Sequence, residues 1–517
     1  MRAAILKKHS QVTGMIDIGS NTVRLAVYQV MENGAYRVID QGRWSARLSQ
    51  KLNGDGVLPP EAIGELAEVL RHFRRICRMH GASRIRAVAT AAVRQAANRR
   101  EVLDRLGRKA GLRIELLSGE DEARLGCVAM LRTMDIRDGF LIDIGGGSTE
   151  ISLIRERKLV RAVSFPFGCV NTAMRHSLGS GAVGPAQLER IQAEIQGMLR
   201  KEPWIAEHPG LPLVGLGGTT RSLAKICQRA DHYPYANLHG YEVTVKTLAD
   251  KLGALAPMTV DKRRKVPGLS KDRADVIVPG LAILQAVARY TSAARIVVCG
   301  AGLRDGIFFE TCLPPIDTAD ASLVLEESIR NLTALYPSVP AEHPLQVNRL
   351  ALTLYDRLAP GEPSLPARSR VWLDAASRLF KIGAVIDVND CADHTFYLLT
   401  HAHWNGLSHR EILLTAAIAS YRGASPARKK LAPYRKLLQS GDYEAVCKLG
   451  ALLQLAAALD RSESQAVASL RVSVGRGNKL KLVAAARHPL PVEKTEVDSL
   501  AKDFRKVWRL TPRLTIV

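Results

Sequence analysis

The sequence predicts an α/β architecture over about the first 315 residues, then a mostly helical region and a small α+β segment at the end. Three observations carry this. A short apolar run ending in an acidic, glycine-containing turn occurs twice. Strand-like runs alternate with amphipathic helical stretches around both copies. Beyond residue 316, apolar residues recur at helical spacing with few strand signals.

The first copy is an apolar run at 12–16 followed by Asp17-Ile18-Gly19-Ser20-Asn21-Thr22, after which Val23, Leu25 and Val27 alternate. The second is a run at 139–142 followed by Asp143-Ile144-Gly145-Gly146-Gly147-Ser148-Thr149-Glu150, with Ile151 and Leu153 alternating. Each reads as a β-hairpin with an Asp at the end of its first strand. Glycine lets backbone N–H groups approach an anion, and successive N–H groups in a turn form an anion-binding concavity. An adjacent Asp holds a divalent cation directly or through water. Two such hairpins facing each other would grip a phosphate and its metal between two domains. Neither copy has the spacing of a dinucleotide fingerprint or the Gly-Lys-Ser/Thr ending of a P-loop.

The remaining elements follow in order. A helix is predicted over 61–80, with Leu66, Val69, Leu70, Phe73 and Ile76 inward and basic residues outward. A strand at 85–89 runs into Thr90-Ala91-Ala92-Val93-Arg94 and a helix to about 110, and a further strand spans 112–117. Ser118 then caps a helix whose first turn holds Glu120, Asp121 and Glu122. A second domain opens near 136. The segments 213–220 and 296–306 each read as a strand, a glycine turn and a helix start, which is a natural anion seat. Pro314-Pro315 marks a linker. Helices are expected at 345–358, 367–386, 409–421 and 443–459, then a hairpin over 470–483 with a Gly475-Arg476-Gly477-Asn478 turn, and a closing helix at 498–508. The domain boundaries predicted are 1–135, 136–315, 316–465 and 466–517.

With 517 residues, 47% of them apolar, the chain can bury several cores. No apolar run reaches the ~18–20 residues that span a bilayer, and the basic stretch Met1 to His9 lacks the apolar core of a secretory leader. The eight cysteines are scattered without a Cys-x-x-Cys pair, as expected of reduced, buried thiols in a cytoplasmic protein. The net charge is +23. Residues 1–315 hold 46 Lys and Arg against 30 Asp and Glu, and the remainder 27 against 20, so the excess is spread along the chain. Spread positive charge attracts polyanions. Aromatics are only 5%, and no nucleic-acid-binding motif is present. The expectation is therefore an acidic small molecule or inorganic polyanion, with no nucleic acid and no membrane.

Five motifs in this order resemble one family: Asp17-Ile-Gly-Ser-Asn, Ala89-Thr-Ala-Ala-Val-Arg94, Ser118-Gly-x-x-Glu-Ala-Arg, Asp143-Ile-Gly-Gly-Gly-Ser-x-Glu150 and Gly217-Gly-Thr219. The chain resembles the exopolyphosphatase and guanosine pentaphosphate phosphatase family, in the long form that carries a C-terminal extension. That resemblance implies two actin-like (ribonuclease H-like) domains, then a degenerate HD-like helical domain containing His394 and Asp460. Tyr421-Arg422 and His409-Arg410 are not the adjacent His-Asp pair that an HD metal site needs, so no second active site is expected.

The resemblance also implies roles. Glu122 is the catalytic base on the attacking water. Asp143, Glu150 and Asp17 handle Mg²⁺ or another divalent cation, with no organic cofactor. Ser20, Asn21, Gly145, Gly146, Gly147 and Ser148 cradle the terminal phosphate. Arg94 binds a phosphate oxygen and stabilises transition-state charge, and Gly217, Gly218 and Thr219 contact the second-domain side of the ligand. The implied reaction is removal of the terminal phosphate of inorganic polyphosphate, in a homodimeric enzyme of the cytoplasm. Guanosine pentaphosphate is the alternative substrate for the same site, and an actin-like ATP-binding protein or kinase the more distant one. Lys and Arg in the 262–273 and 428–436 runs are candidates for holding the rest of a polyphosphate chain.

Overall fold

The computed structural model describes residues 10–517, so the reading of Met1 to His9 lies outside the described residues. Contacts divide the chain into two units, one ending at Val324 and one beginning at Leu325.

The first unit is built on two sheets of the same design. In the first, β1 (Gln11–Ile18), β2 (Val23–Val30), β3 (Tyr36–Trp44), β4 (Arg84–Ala89) and β5 (Ile114–Leu116) lie in the order β3-β2-β1-β4-β5. The first three strands are antiparallel, and β4 and β5 continue parallel to β1. In the second, β6 (Gly139–Ile144), β7 (Thr149–Arg155), β8 (Lys158–Phe165), β9 (Leu213–Leu216), β10 (Glu242–Val243) and β11 (Ile296–Val298) lie in the order β10-β11-β9-β6-β7-β8. Without its edge strand β10 this is the first sheet again, with β6 in the place of β1. Both predicted hairpins are present and occupy equivalent positions.

Helices α1 (Pro60–Met79) and α2 (Arg99–Ala110) cover one face of the first sheet, where Leu66, Leu70, Phe73 and Leu106 pack on Leu25 and Val27. The helix expected from Arg94 to 110 is broken instead. Asn98 leaves the helical path so that its side chain pairs with the backbone of Leu58, accepting from the N–H at 2.9 Å and donating to the carbonyl at 3.0 Å.

The other faces are covered by an exchange. Helix α3 (Gly119–Thr133) follows the first sheet but packs Cys127, Met130 and Leu131 on Leu141, Val214 and Val297 of the second. Three further helices complete the second half: α4 (Gly217–Ala230), α5 (Ile277–Tyr290) and α6 (Leu303–Cys312). Helix α5 is buried along nearly its whole length against the second sheet. Helix α6 returns to the first sheet, where Ile307 and Phe308 pack on Met15, Tyr28 and Val88. The Tyr28 and Phe308 rings stack at 4.0 Å. The two exchanged helices touch at Gly306, where a Cβ would collide with the carbonyl of Leu125.

The second unit is mostly helical. It contains α7 (Glu342–Leu358), α8 (Ser369–Leu379), α9 (Cys391–His401), α10 (His409–Ala419), α11 (Ala424–Leu431) and α12 (Asp442–Ala458). Trp372, Leu354, Leu414 and Leu452 are among its buried residues. Helices α9 and α11 carry too few apolar repeats to stand out in the sequence. His343 and Asp460 form a buried hydrogen-bonded pair at 2.8 Å, and the Tyr421 ring fills the space beside Gly450. Among the described residues, no three His, Cys, Asp or Glu side chains are placed to hold a metal ion. The predicted hairpin is β12 (Val467–Gly475) and β13 (Lys479–Ala486), and the closing helix, α13 (Pro491–Trp508), starts earlier than expected, with Pro491 at its first position. It leads to β14 (Thr511–Ile516), which pairs parallel to β13 and was not expected. Among the described residues no helix is long and apolar enough to cross a membrane.

The exchange of helices makes Gly306 a structural weak point. Gly306→Ala should lower stability by about 1–3 kcal/mol, read as a reduced melting temperature. An unchanged melting temperature would show that the helices separate without cost.

Candidate active site

The two hairpins meet at the centre of the first unit. In each, the turn is closed by the same bond: Gly19 N–H donates to the Thr22 carbonyl at 3.3 Å, and Gly145 N–H to the Ser148 carbonyl at 2.9 Å. The approach is close. A Cβ on Gly146 would stand 2.9 Å from that of Ser20, and one on Gly147 would stand 2.9 Å from the Ser20 hydroxyl. Larger residues would hold the two halves apart.

A cavity of about 120 Å³ lies between the hairpins. Of the residues predicted from sequence, it is lined by Asp17, Ser20, Asn21, Glu122, Asp143 and Glu150, and by Gly145, Gly146, Ser148, Gly217 and Gly218. Ladder register explains part of this. Asp17 lies opposite Arg24, and Asp143 opposite Glu150, one step outside each turn. Helix α4 begins at Gly217, with no side chain capping it, so its first N–H groups are available to an anion. Gly217 has φ +78, and a Cβ there would collide with the Asp143 carboxylate.

Three predicted residues stand behind the lining. Gly147 packs on Ser20 and Ala91, and Thr219 is buried against Gly280. Arg94 donates to the Leu117 carbonyl at 2.8 Å and forms an ion pair with Glu122. It therefore holds the proposed base in place. Glu122 sits in the first turn of α3, whose N-cap Ser118 accepts from Asp121 N–H at 3.0 Å, so the cap fixes where the carboxylate points.

Four arginines on the cavity wall were not assigned to it from sequence: Arg24, Arg221, Arg273 and Arg304. Arg304 donates to the Leu25 carbonyl at 2.7 Å and Arg221 to the Gly300 carbonyl at 3.0 Å. Arg273 lies over Gly218, in space a side chain would fill. It is bracketed by two links to the other half, Asp272 with Arg43 and Asp275 with Arg47, the latter at 2.8 Å. Two signals were available. Arg24 follows Asp17 by the same seven positions that separate Glu150 from Asp143, and Arg273 ends the 262–273 basic run. In the other run, Lys430 pairs with Asp393 at 2.9 Å and Arg428 stacks on Tyr443.

The electrostatics divide the cavity. Burial and the nearby Arg221, Arg304 and Arg273 lower Arg24 to about 9, so it remains a cation at neutral pH. Asp17 and Asp143 are both raised by burial, which outweighs the neighbouring arginines. Glu122 is pushed well above the usual carboxylate range by burial and by Glu150, against the opposing pull of Arg94. Glu150 is pushed up to about 7 by burial and by Asp143. The carboxylates thus lack positive charge, and a divalent cation fits that deficit. Asp17 and Asp143 offer the hard oxygen ligands suited to Mg²⁺, which usually takes only one or two carboxylates and completes its shell with water and substrate phosphate.

The comparisons with known proteins agree with this geometry. The family model of Ppx/GppA phosphatases matches residues 26–314. The chain belongs to the Ppx/GppA phosphatase family. The model of Ppx/GppA phosphatase domain III matches residues 324–496. An uncharacterised protein of Streptomyces coelicolor is 31% identical over 57% of this chain and 88% of its own length. Exopolyphosphatase 1 of Mycobacterium leprae is 29% identical over 62% of this chain and 94% of its own. The crystal structure of the Ppx/GppA family member of Aquifex aeolicus superposes with a TM-score of 0.50 at 27% identity, covering 62% of this chain and 99% of that one. An exopolyphosphatase structure from Cytophaga hutchinsonii gives a TM-score of 0.54 at 22% identity over 58% of this chain and 97% of its own, a likeness of fold. As a Ppx/GppA phosphatase, this chain is a hydrolase of phosphoanhydride bonds with two actin-like domains and a helical third domain.

Glu150 gives this site a pH signature. Its value rises from 4.5 to about 7 on folding, so the folded state holds the proton more tightly than the unfolded chain. The stability this contributes is complete below 4.5 and is lost as pH rises through about 7. Glu150→Gln should therefore gain stability relative to the parent across that window, on the order of 2–3 kcal/mol. Denaturant unfolding of the ligand-free proteins at several pH values checks it, and a difference independent of pH would contradict it.

Proposed function

We propose that this Ppx/GppA phosphatase removes the terminal phosphoryl group of inorganic polyphosphate, releasing one orthophosphate and a chain shorter by one unit. The observation that supports this reading is the polarity of the cavity. Glu122 and Glu150 mark one end, with Arg94 behind them. Arg24, Arg221, Arg273 and Arg304 gather at the other, and Asp17 and Asp143 lie between. None of the described residues lining it is aromatic, and at about 120 Å³ it has room for the reacting phosphoryl groups, with the rest of any substrate lying outside it. Phosphoryl groups and arginines match both facts.

In this mechanism the terminal phosphoryl group sits against the hairpin turns. The Gly146 backbone N–H and the Ser20 and Ser148 hydroxyls hold its oxygens. The Glu122 carboxylate orients a water and takes its proton as the water oxygen bonds to phosphorus. The bridging P–O bond then breaks, and its electron pair leaves with the shortened chain. The four arginines stabilise the charge that develops on that leaving group. Mg²⁺, held by Asp17 and Asp143 directly or through water, would neutralise phosphate charge that otherwise repels attack.

Glu122→Gln keeps the shape and an acceptor for Arg94 but cannot take a proton. Turnover should fall about 10²–10⁴-fold while polyphosphate binding is retained. Loss of binding in step with turnover would make Glu122 a binding residue. In the parent protein the acid limb of kcat/KM should lie well above the ordinary glutamate value of 4.5, because the raised base must lose its proton before it can act. Phosphate release with Mg²⁺ from long-chain polyphosphate and from guanosine pentaphosphate, at matched concentrations of chain ends, tests the substrate. Preference for the nucleotide would overturn the polyphosphate reading and leave the hydrolase.

A further inference from the structure

Cationic surface continues beyond the first cavity. Helix α4 places Gly218 and Arg221 on that cavity, and Lys225 and Arg229 follow one and two turns later. Residues four apart stack along one side of a helix, so Arg221, Lys225 and Arg229 form a ridge about 12 Å long. Lys225 and Arg229, with His232, line a second cavity of about 650 Å³.

The loop Gly268-Leu269-Ser270 forms its other wall. Gly268 has φ +89 and presses on the helix so closely that a Cβ would collide with the backbone at Lys225. Three residues after Ser270, the same loop carries Arg273 over Gly218 in the first cavity. Helix and loop therefore run together from one cavity to the other. The far side is fixed by Gln228, which donates to the Asn237 carbonyl at 2.7 Å.

No carboxylate is among the described residues lining the second cavity. Lys225 and Arg229 are exposed and have no ion-pair partner among the described residues. Uncompensated cations in a concave surface concentrate anions there.

We propose that the second cavity is a subsite for the internal phosphates of a polyphosphate chain whose end occupies the first. This rests on the polyphosphate reading and deepens it. The terminal phosphoryl group reacts between the hairpins, and the rest of the chain lies along the α4 ridge and fills the second cavity. A chain of only three phosphates ends before reaching Arg229, so the subsite acts on long chains alone.

The charge reversals Lys225→Glu and Arg229→Glu, combined, test it, with Lys225→Gln and Arg229→Gln as a milder pair. The combined reversal should raise KM for long-chain polyphosphate about tenfold or more and leave tripolyphosphate hydrolysis unchanged. The milder pair should show the same selectivity with a smaller effect. Equal losses on both substrates, or no loss on the long chain, would overturn the proposal. Weakened guanosine pentaphosphate hydrolysis with long-chain hydrolysis intact would overturn it too, by making the cavity a nucleoside pocket. Fluorescence anisotropy with labelled long-chain polyphosphate separates this from the activity itself. If the intact protein hydrolyses no polyphosphate, the functional reading fails, while loss of long-chain binding in the variant still identifies the subsite and equal binding removes it.

Discussion

Two buried carboxylates on one cavity set the terms for everything around them. Asp17 and Asp143 stand at equivalent points of two hairpins; burial raises the cost of ionising each, and Asp143 adds to that cost for Asp17. Left alone, such groups would take up protons. Ionised, they need positive charge, and the fold supplies part of it through Arg24, Arg221, Arg273 and Arg304. A divalent cation, as proposed above, would supply the remainder. Glycine at 146, 147 and 217 follows from the same requirement. Any side chain there would separate the hairpins or displace Asp143.

The duplicated sheet shows how one scaffold came to carry two different halves of a site. Both hairpins have the same turn closure and the same ladder register. Opposite the aspartate, however, one half carries Arg24 and the other Glu150. The first half thus contributes a cation and the second an anion from the same position of the same element. Helices α3 and α6 then exchange partners, so each half is completed by a helix from the other. Glu122 rides on one exchanged helix and Arg304 on the other.

What could be read in advance followed from local chemistry. The hairpins, the cap at Ser118 and the acids at 17, 122, 143 and 150 were legible because turn residues, caps and period-2 alternation are local signals. The arginines were mostly not. Arg221 and Arg304 adjoin the glycine turns read as anion seats, 213–220 and 296–306, but the carbonyls that brace them on the cavity, at Gly300 and Leu25, are distant in sequence. Arg24 was the exception in principle, because the equal spacing of the two copies marks its position. β14 was missed for a similar reason: its partner is reached only after the whole of α13, and Pro512 reads as a breaker. The motif around Arg94 implies a direct phosphate contact, whereas its bonds to Leu117 and Glu122, visible only in three dimensions, place it behind the cavity wall.

On the polyphosphate reading proposed above, the division of charge in the cavity would make hydrolysis run in one direction along a chain. A general base works best where negative charge raises its proton affinity, and a leaving group where positive charge lowers it. Mixing the two sets around one phosphate would cancel both effects. Here Glu122 has Glu150 and Asp17 as its charged neighbours besides Arg94, while the other four arginines cluster on Asp17, Asp143 and one another. In the proposed mechanism a phosphate between the ends would meet water from the acidic side and release its bridging oxygen toward the basic side. A bound polyanion is oriented by the same gradient, since only its terminal group can stand near the acids without a cost that grows with every added phosphate. Under that proposal terminal attack would follow from where the charges lie, and a chain entering from the arginine side would present its end, and not its middle, to Glu122.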